Sequence, residues 1–378
     1  MFGISIVLLV ADTTGSYAIA GGVSAVGLVG VAVSAPLVGR LVDRHGQAKI
    51  AVPATLISVT ACTGTALCAE FGAPRWTLYI TYLASAGVPF VGTMVRARWV
   101  AIYEGDEQRL HTANAFERIV DESVFISGPA IAAALCGTLG ASAGLIAANV
   151  LLLVGTLLFA MQRSTEPAPH PAGPDDVRPR LVDHRISSAI ALFLILGLVS
   201  GAMEVVTVAY VATIGSKSAA GLFLGLAGLG SCLSGVVYGT YRPEGDVRRR
   251  TLLFAAILSC CLLPFPVLVQ GNLWVLGLWA FLVGTASAPI LITSMSLLQQ
   301  LTPKERMNEG MAMADAGIVV GMAVGALAGG WIVTRYGNVS GFWTLTFAGV
   351  LVLLMAVGGT LRWNTNPAGA NTEEVGTP

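Results

Sequence analysis

Apolar residues occur along the chain in blocks of about twenty, separated by short polar segments. A helix of about twenty apolar residues is long enough to span the roughly 30 Å hydrocarbon core of a bilayer. The pattern therefore predicts a short apolar segment, Met1 to Ala11, followed by a series of long membrane helices. The long helices are predicted at 17–38, 50–71, 76–98, 114–138, 143–161, 187–212, 219–241, 251–270, 273–298, 309–334 and 342–361.

The first segment is too short to cross the membrane by itself, because eleven helical residues rise only about 16 Å. It lacks the basic start and the cleavage site of a signal peptide. We interpret it as the remainder of a first membrane helix whose start lies upstream of Met1. A short re-entrant or tilted segment is the alternative.

One proline-rich, charged segment interrupts the regular spacing of the helices. Such a composition favours an extended, solvated linker. The chain is therefore predicted to be an all-α polytopic membrane protein with two six-helix bundles and twelve spans. Its parts are an N-terminal half at 1–161, a linker at 162–186, a C-terminal half at 187–362 and a polar tail at 363–378.

Composition supports this class and excludes others. Charged residues make up 11% of the chain and the mean hydropathy is +0.76, which excludes an ordinary soluble domain. The net charge is zero, so no nucleic-acid partner is indicated. The sequence holds no phosphate-binding GxxxxGK[ST] loop, and its histidines and cysteines show no ligand spacing. We therefore expect no enzyme activity, no cofactor and no metal.

The distribution of basic residues predicts the orientation. Arginine and lysine concentrate in the segments on one side of the predicted spans, and only Arg75, Lys217 and Arg335 lie on the other. Segments rich in these residues stay in the cytoplasm. That side is therefore expected to be cytoplasmic, and the even number of spans places both termini there.

The run between the second and third spans, Gly39 to Lys49, has a specific order of glycines and charges. We call it the signature run. It resembles the signature loop between helices two and three of the major facilitator superfamily. The resemblance rests on Gly39, Arg40, Asp43, Arg44, Gly46 and Lys49.

The resemblance implies a secondary transporter that works by alternating access. It also implies that Asp43 contacts the positive N-terminus of helix eleven or a nearby arginine and latches the two halves on the cytoplasmic side. The alternative is that Asp43 only neutralises Arg40 and Arg44 at a solvated turn.

Charged residues cluster where the fourth span ends and the fifth begins. Acids near the membrane boundary are costly unless they are paired, so an intracellular ion-pair network is expected, with a proton relay through Asp121 as the alternative. The spacing of Asn114 and Glu117 also predicts that the fifth helix begins at Asn114. The network is expected to hold Arg96, Arg98, Glu117, Arg118, Asp121 and Glu122.

Three further features lie inside predicted spans. Gly128 and Pro129 predict a bend and resemble the glycine–proline motif of facilitator antiporters. Glu204 is either a cavity acid for substrate or proton, or a paired structural acid. Asp315 is interpreted as an acid that favours the start of helix eleven through the helix dipole.

Glycines recur every four residues in helix eleven and allow a neighbouring helix to approach closely. Helix eleven lies beside helix two in the fold that the resemblance implies, so these glycines are expected to let the halves slide. They are Gly317, Gly321, Gly325 and Gly329.

The expected function is proton-coupled efflux of a small lipophilic molecule by a permease of the bacterial cytoplasmic membrane. The expected partners are this substrate, protons and the lipid bilayer, and the chain is expected to act as a monomer. Two alternatives stay open. One is a facilitator-like sensor or assembly partner that does not transport, which the short first segment favours. The other is an uptake permease for a small polar solute.

Overall fold

The computed structural model describes residues 1–169, 183–213, 220–241, 245–263 and 272–362. Most of the predicted linker and the whole predicted tail lie outside these residues. The described part is built from helices, without strands. The α-helices are α1 Phe2–Thr14, α2 Tyr17–His45, α3 Gln47–Glu70, α4 Arg75–Ser85, α5 Val91–Ile102, α6 Glu107–Leu139, α7 Ala143–Met161, α8 His184–Thr213, α9 Ala220–Thr240, α10 Val247–Leu262, α11 Leu273–Leu301, α12 Met307–Tyr336 and α13 Phe342–Arg362.

Nine helices among the described residues are long and apolar enough to cross a membrane. The α4–α5 pair and the shorter helices α1 and α10 occupy the remaining positions where the sequence predicts spans. The predicted all-α polytopic membrane fold is confirmed. We refer to α1–α7 as the N-terminal half and to α8–α13 as the C-terminal half.

Helix α1 belongs to the core of the N-terminal half. Ile6, Leu9 and Val10 are fully buried against residues of α2, α3 and α7. The helix ends at Gly15, whose φ of 66° is the left-handed conformation that glycine adopts most easily. Although it is short, α1 is therefore packed as a structural element of its half.

The fourth span is broken, whereas the sequence predicted one helix over 76–98. Helix α4 ends at Ser85 and α5 begins at Val91. Pro89 lies in the break, where it provides no backbone donor and disfavours helical geometry in the residue before it. Phe90 then packs against the buried residues Ala35, Ala312 and Ala316, which belong to α2 and α12.

The fifth span begins earlier than predicted. Helix α6 starts at Glu107, and the Asp106 side chain caps it by accepting a hydrogen bond from the Arg109 N–H at 3.0 Å. The predicted start at Asn114 is wrong, because the polar residues before it continue the helix beyond the apolar block. The helix runs through Pro129 to Leu139.

The glycine row of α12 faces α8 in the same half. A methyl group on Gly321 would overlap the Leu194 carbonyl oxygen, and one on Gly325 would overlap that of Leu198. The expectation that this row lies against helix two and lets the halves slide is wrong. The glycine face of α12 points toward α8, whereas α12 contacts α2 through Ala312 and Ala316 near the start of α12.

Replacing Gly321 by alanine is expected to destabilise the C-terminal half by about 2 kcal/mol, because α8 must move away from α12. The measurement is the thermal unfolding midpoint of the purified protein in detergent. Gly330→Ala is the matched control in the same helix, because its added methyl group would contact Val205 at an ordinary 3.7 Å. Equal midpoints for the two variants would contradict the close α8–α12 packing.

Candidate functional site

The signature run is helical for most of its length, although the resemblance implied a loop. Helix α2 continues to His45, and Gly46 alone connects it to α3. Gly46 has a φ of 97°, which glycine adopts without strain and other residues rarely adopt. The glycine in this place therefore allows two long helices to follow each other with a one-residue turn.

Gly39 brings α2 against the first residues of α12. A Cβ atom on Gly39 would lie 2.9 Å from the Asn308 carbonyl oxygen and 2.9 Å from the Glu309 Cα. Such distances are too short for a real side chain. The absence of a side chain at Gly39 is therefore what permits this contact between the two halves.

Asp43, one turn further along α2, binds the N-terminus of α12. Its Oδ1 accepts hydrogen bonds from the Asn308 N–H at 3.0 Å and from the Asn308 Nδ2 at 2.7 Å. Its Oδ2 accepts one from the Glu309 N–H at 2.9 Å. The first N–H groups of a helix have no partner inside the helix and carry partial positive charge. The buried carboxylate, 6% exposed, therefore joins the halves through charge-assisted hydrogen bonds.

Two other charged residues of the signature run, Arg40 and Lys49, are exposed. Gln47 is buried and donates from Nε2 to the Met94 carbonyl at 3.0 Å. Asp43, Gly46 and Gln47 thus face the protein, whereas Arg40 and Lys49 face outward. We call the end of the bundle that holds Gly46 the signature end.

Arg98 holds the start of the linker against the signature end. Its Nε donates to the Gln47 Oε1 at 2.8 Å, and one terminal nitrogen donates to the Gln162 carbonyl at 2.6 Å and to Thr165 Oγ1 at 3.0 Å. Among the described residues it forms no ion pair with the acids of the predicted network, and the carboxylate it interacts with is that of Glu166 in the linker. Placing Arg98 in the acidic network was therefore wrong.

Arg96 joins the two halves deeper in the bundle. Its guanidinium forms an ion pair with Asp121 of α6 and lies 3.4 Å from Asp315 Oδ2 of α12. The Arg96 side chain is 8% exposed and that of Asp315 is 19% exposed. One arginine of the N-terminal half therefore bridges a carboxylate of its own half and one of the other half.

Sequence reasoning missed this role of Asp315 and assigned it to the helix dipole. The dipole acts within about the first turn of a helix, and Asp315 lies eight residues after Met307, where α12 begins. A carboxylate at that depth needs a partner. This depth was the signal in the sequence that could have identified it.

The other predicted network residues surround this bridge. Arg118 and Glu122 form an ion pair along α6, and Glu122 also accepts a hydrogen bond from Ser231 of α9 at 3.3 Å. Glu117 accepts one from Trp99 Nε1 at 2.9 Å. A cavity of about 40 Å³ lies among them, lined by Arg96, Asn114, Arg118, Asp121, Phe193, Leu291, Ile292, Met295, Asp315 and Ile318.

A second seam between the halves, which sequence reasoning also missed, runs between α6 and the helices α9 and α11. Asn114 and Gln299 exchange two amide hydrogen bonds, of 2.7 and 3.1 Å. Thr112 Oγ1 donates to the Gly239 carbonyl at 3.1 Å. Both side chains of the amide pair are buried, so this contact is specific to the arrangement seen here.

The remaining predicted site residues lie elsewhere. Gly128 is buried against Met1, to which an added Cβ would lie at 3.3 Å, and Pro129 follows it inside a continuous α6. The Glu204 side chain is exposed, and it forms no hydrogen bond or ion pair within the part of the chain that the structure describes. None of these three residues joins the cluster around Arg96.

Both halves of the chain match the same family of known proteins. A model of the major facilitator superfamily matches residues 1–243 and again 192–377. The multi-drug resistance efflux pump PmrA homolog of Lactococcus lactis is 26% identical over 329 residues, which are 80% of this chain and 76% of that protein.

Solved transporters share the fold. A bacterial homologue of the iron transporter ferroportin, in an outward-facing state, matches with a TM-score of 0.74 at 15% identity and covers 95% of this chain and 98% of that one. The human organic anion transporter TETRAN matches with a TM-score of 0.65 at 18% identity, over 94% of this chain and 89% of that one. The proton:xylose symporter XylE matches with 0.65 at 14% identity, over 94% and 92%.

The family match includes the signature run and both halves, and the same fold is found in these solved transporters. The chain therefore belongs to the major facilitator superfamily, a family of membrane transporters.

Proposed function

We propose that this transporter exports a small lipophilic molecule from a bacterial cell in exchange for protons. One observation carries the mechanism: Asp43 of one half binds the first N–H groups of α12 in the other half. Such a contact exists only while the halves touch at the signature end. It is therefore suited to hold one of the two states of an alternating-access cycle.

The proposed orientation places the signature end in the cytoplasm, together with both termini. The basic residues of the signature run support it, because such residues remain on the cytoplasmic side of a membrane. In that orientation the contacts of Asp43 and of Asn114 with Gln299 close the cytoplasmic side. The arrangement seen here is then the outward-facing state of a monomer.

Efflux is favoured by the likeness to the multi-drug resistance efflux pump homolog, which extends over most of both chains. The few charges inside the spans favour a lipophilic cargo. Proton coupling is proposed at Arg96, because Asp121 and Asp315 share this one cation across the halves. Protonation of either carboxylate would weaken the bridge and favour separation of the halves.

The proposal predicts flux into inside-out membrane vesicles that contain the full chain. With an acidic vesicle interior, a lipophilic cation or antibiotic is expected to accumulate at least several-fold above vesicles without the protein. Accumulation should disappear when a protonophore removes the pH gradient. The measurement is the uptake of labelled compounds from a panel that includes sugars.

Each other result identifies a different function. Accumulation that does not change with the pH gradient would overturn proton coupling. Gradient-driven movement of a sugar in the opposite direction would support an uptake permease. No flux of any compound, from protein that is folded and inserted, would support a sensor that does not transport.

A further inference from the structure

A cavity of about 240 Å³ lies between the halves at the seam of α6 with α10 and α11, separate from Asp43 and from Arg96. Both halves contribute to its wall. The N-terminal half provides Glu107, Gln108, Leu110 and His111, and the C-terminal half provides Val247, Arg250, Ser296 and Gln300.

Two nitrogen-bearing side chains, Arg250 and His111, line the cavity. The Arg250 Nε is buried and makes no hydrogen bond within the described residues. His111 is 5% exposed, and its Nε2 lies 2.9 Å from the Tyr238 carbonyl oxygen, to which it donates. In the neutral ring Nδ1 is then the acceptor nitrogen, so His111 adds no hydrogen-bond donor for an anion.

Within the described residues, no acid forms an ion pair with Arg250. Asp106 is paired with Arg109 at 3.1 Å, and Asp246 is paired with Arg248 at 2.7 Å. Glu107 is the one carboxylate in the wall of the cavity as described, and it is exposed. An arginine in a partly enclosed cavity, with no buried counter-charge in the part of the wall that the structure describes, favours the binding of an anion.

The polar wall indicates the kind of anion. Gln108 and Gln300 can each donate a hydrogen bond beside the guanidinium of Arg250, whereas the Ser296 hydroxyl already donates to the Ile292 carbonyl at 3.0 Å. A phosphate group, with several acceptor oxygens around one centre, uses such a set of donors better than a halide does. The volume is ample for one phosphate group.

We propose that this cavity binds a phosphate group, carried by an anionic phospholipid or by a small soluble phosphate compound. Because both halves line it, a bound phosphate stabilises the arrangement in which they touch here. The site is then an effector site that favours one state of the cycle. It rests on the cavity and its charges, independently of cargo, direction and coupling ion.

The test measures the thermal unfolding midpoint of the full-length protein purified in neutral detergent. One arm adds sodium phosphate against sodium chloride at equal ionic strength. The other adds phosphatidylglycerol against phosphatidylcholine in mixed micelles. At least one phosphate source is expected to raise the midpoint by about 3 °C. A response to both indicates a soluble phosphate, and a response to phosphatidylglycerol alone indicates the lipid.

Variants locate the site. Arg250→Gln is expected to lose the response, whereas Arg249→Gln, a change at the exposed neighbouring arginine outside the cavity wall, should keep it. Gln300→Glu places a carboxylate in the wall at an exposed position and should also lose the response, which covers the case in which Arg250→Gln fails to fold. The proposal is overturned if neither source stabilises the wild type, if Gln300→Glu responds fully, or if Arg249→Gln loses the response equally.

Discussion

Asp43→Asn is expected to reduce transport at least tenfold while the protein still inserts into the membrane. Asparagine has nearly the shape of aspartate, but it carries no charge and has only one acceptor oxygen. Its single oxygen cannot replace the two carboxylate oxygens of Asp43, which accept separate hydrogen bonds from the backbone N–H groups of Asn308 and Glu309. Hydrogen bonds to a charged group contribute about 1.5–3 kcal/mol, so the balance between the two states should shift by tenfold or more.

Two measurements separate this effect from misfolding. The first is transport per inserted molecule in inside-out vesicles. The second is the yield of a cross-link between cysteines introduced at Glu104 and Lys304, which form an exposed ion pair between the halves at the signature end. Asp43→Asn should lower this yield, because the halves spend less time in contact there.

Glu70→Gln is the matched control, because Glu70 is an exposed acid at the opposite end of α3. It should leave both transport and the cross-link unchanged. If Asp43→Asn transports normally, or if it loses transport with an unchanged cross-link yield, Asp43 does not act as a latch.

The spans could be predicted from the sequence because the hydrocarbon core demands a long apolar helix wherever the chain crosses it. The break in the fourth span was missed although Pro89 and Gly87 are visible in the sequence. A membrane helix often continues through a proline, as the helices here do at Pro36, Pro53, Pro129 and Pro289. Whether a proline breaks the helix depends on whether neighbouring helices or side chains can hydrogen-bond the backbone groups that lose their partners at the proline.

The candidate site was predictable only in part. The family resemblance gave the start of the eleventh span or a nearby arginine as the contact of Asp43, and the hydrogen bonds to Asn308 and Glu309 lie at the start of that span. The latch itself stays a prediction. The bridge from Arg96 to Asp315 and the pair of Asn114 with Gln299 join residues that are about two hundred positions apart. Local spacing carries no information about such contacts between halves.

Removing either side of the Arg96 bridge is expected to have different consequences. Arg96→Gln leaves the carboxylates of Asp121 and Asp315 without this shared cation, so we expect the protein to lose about 3 kcal/mol of stability and all transport. Asp315→Asn leaves Arg96 paired with Asp121. That variant should fold and still carry the cargo down its own gradient, but it should no longer respond to a pH gradient.

The double variant decides whether the bridge couples the halves. Asp315→Asn added to Arg96→Gln removes one unpaired acid, so it should restore part of the unfolding midpoint, with a coupling energy of about 1–3 kcal/mol between the two sites. The control is the same double-mutant cycle, with single and double variants, at Glu104 and Lys304. Those side chains are 66% and 65% exposed, and a pair exposed to solvent contributes at most about 1 kcal/mol.

The pH response is what distinguishes a coupling site from a structural ion pair. A purely structural bridge predicts that Asp315→Asn slows transport equally with and without a pH gradient. A coupling site predicts that the gradient-driven part disappears while downhill flux remains, because an asparagine cannot release or bind the proton that frees Arg96. Equal slowing with and without a pH gradient would therefore exclude Asp315 from proton coupling, whatever stability the double-mutant cycle reports.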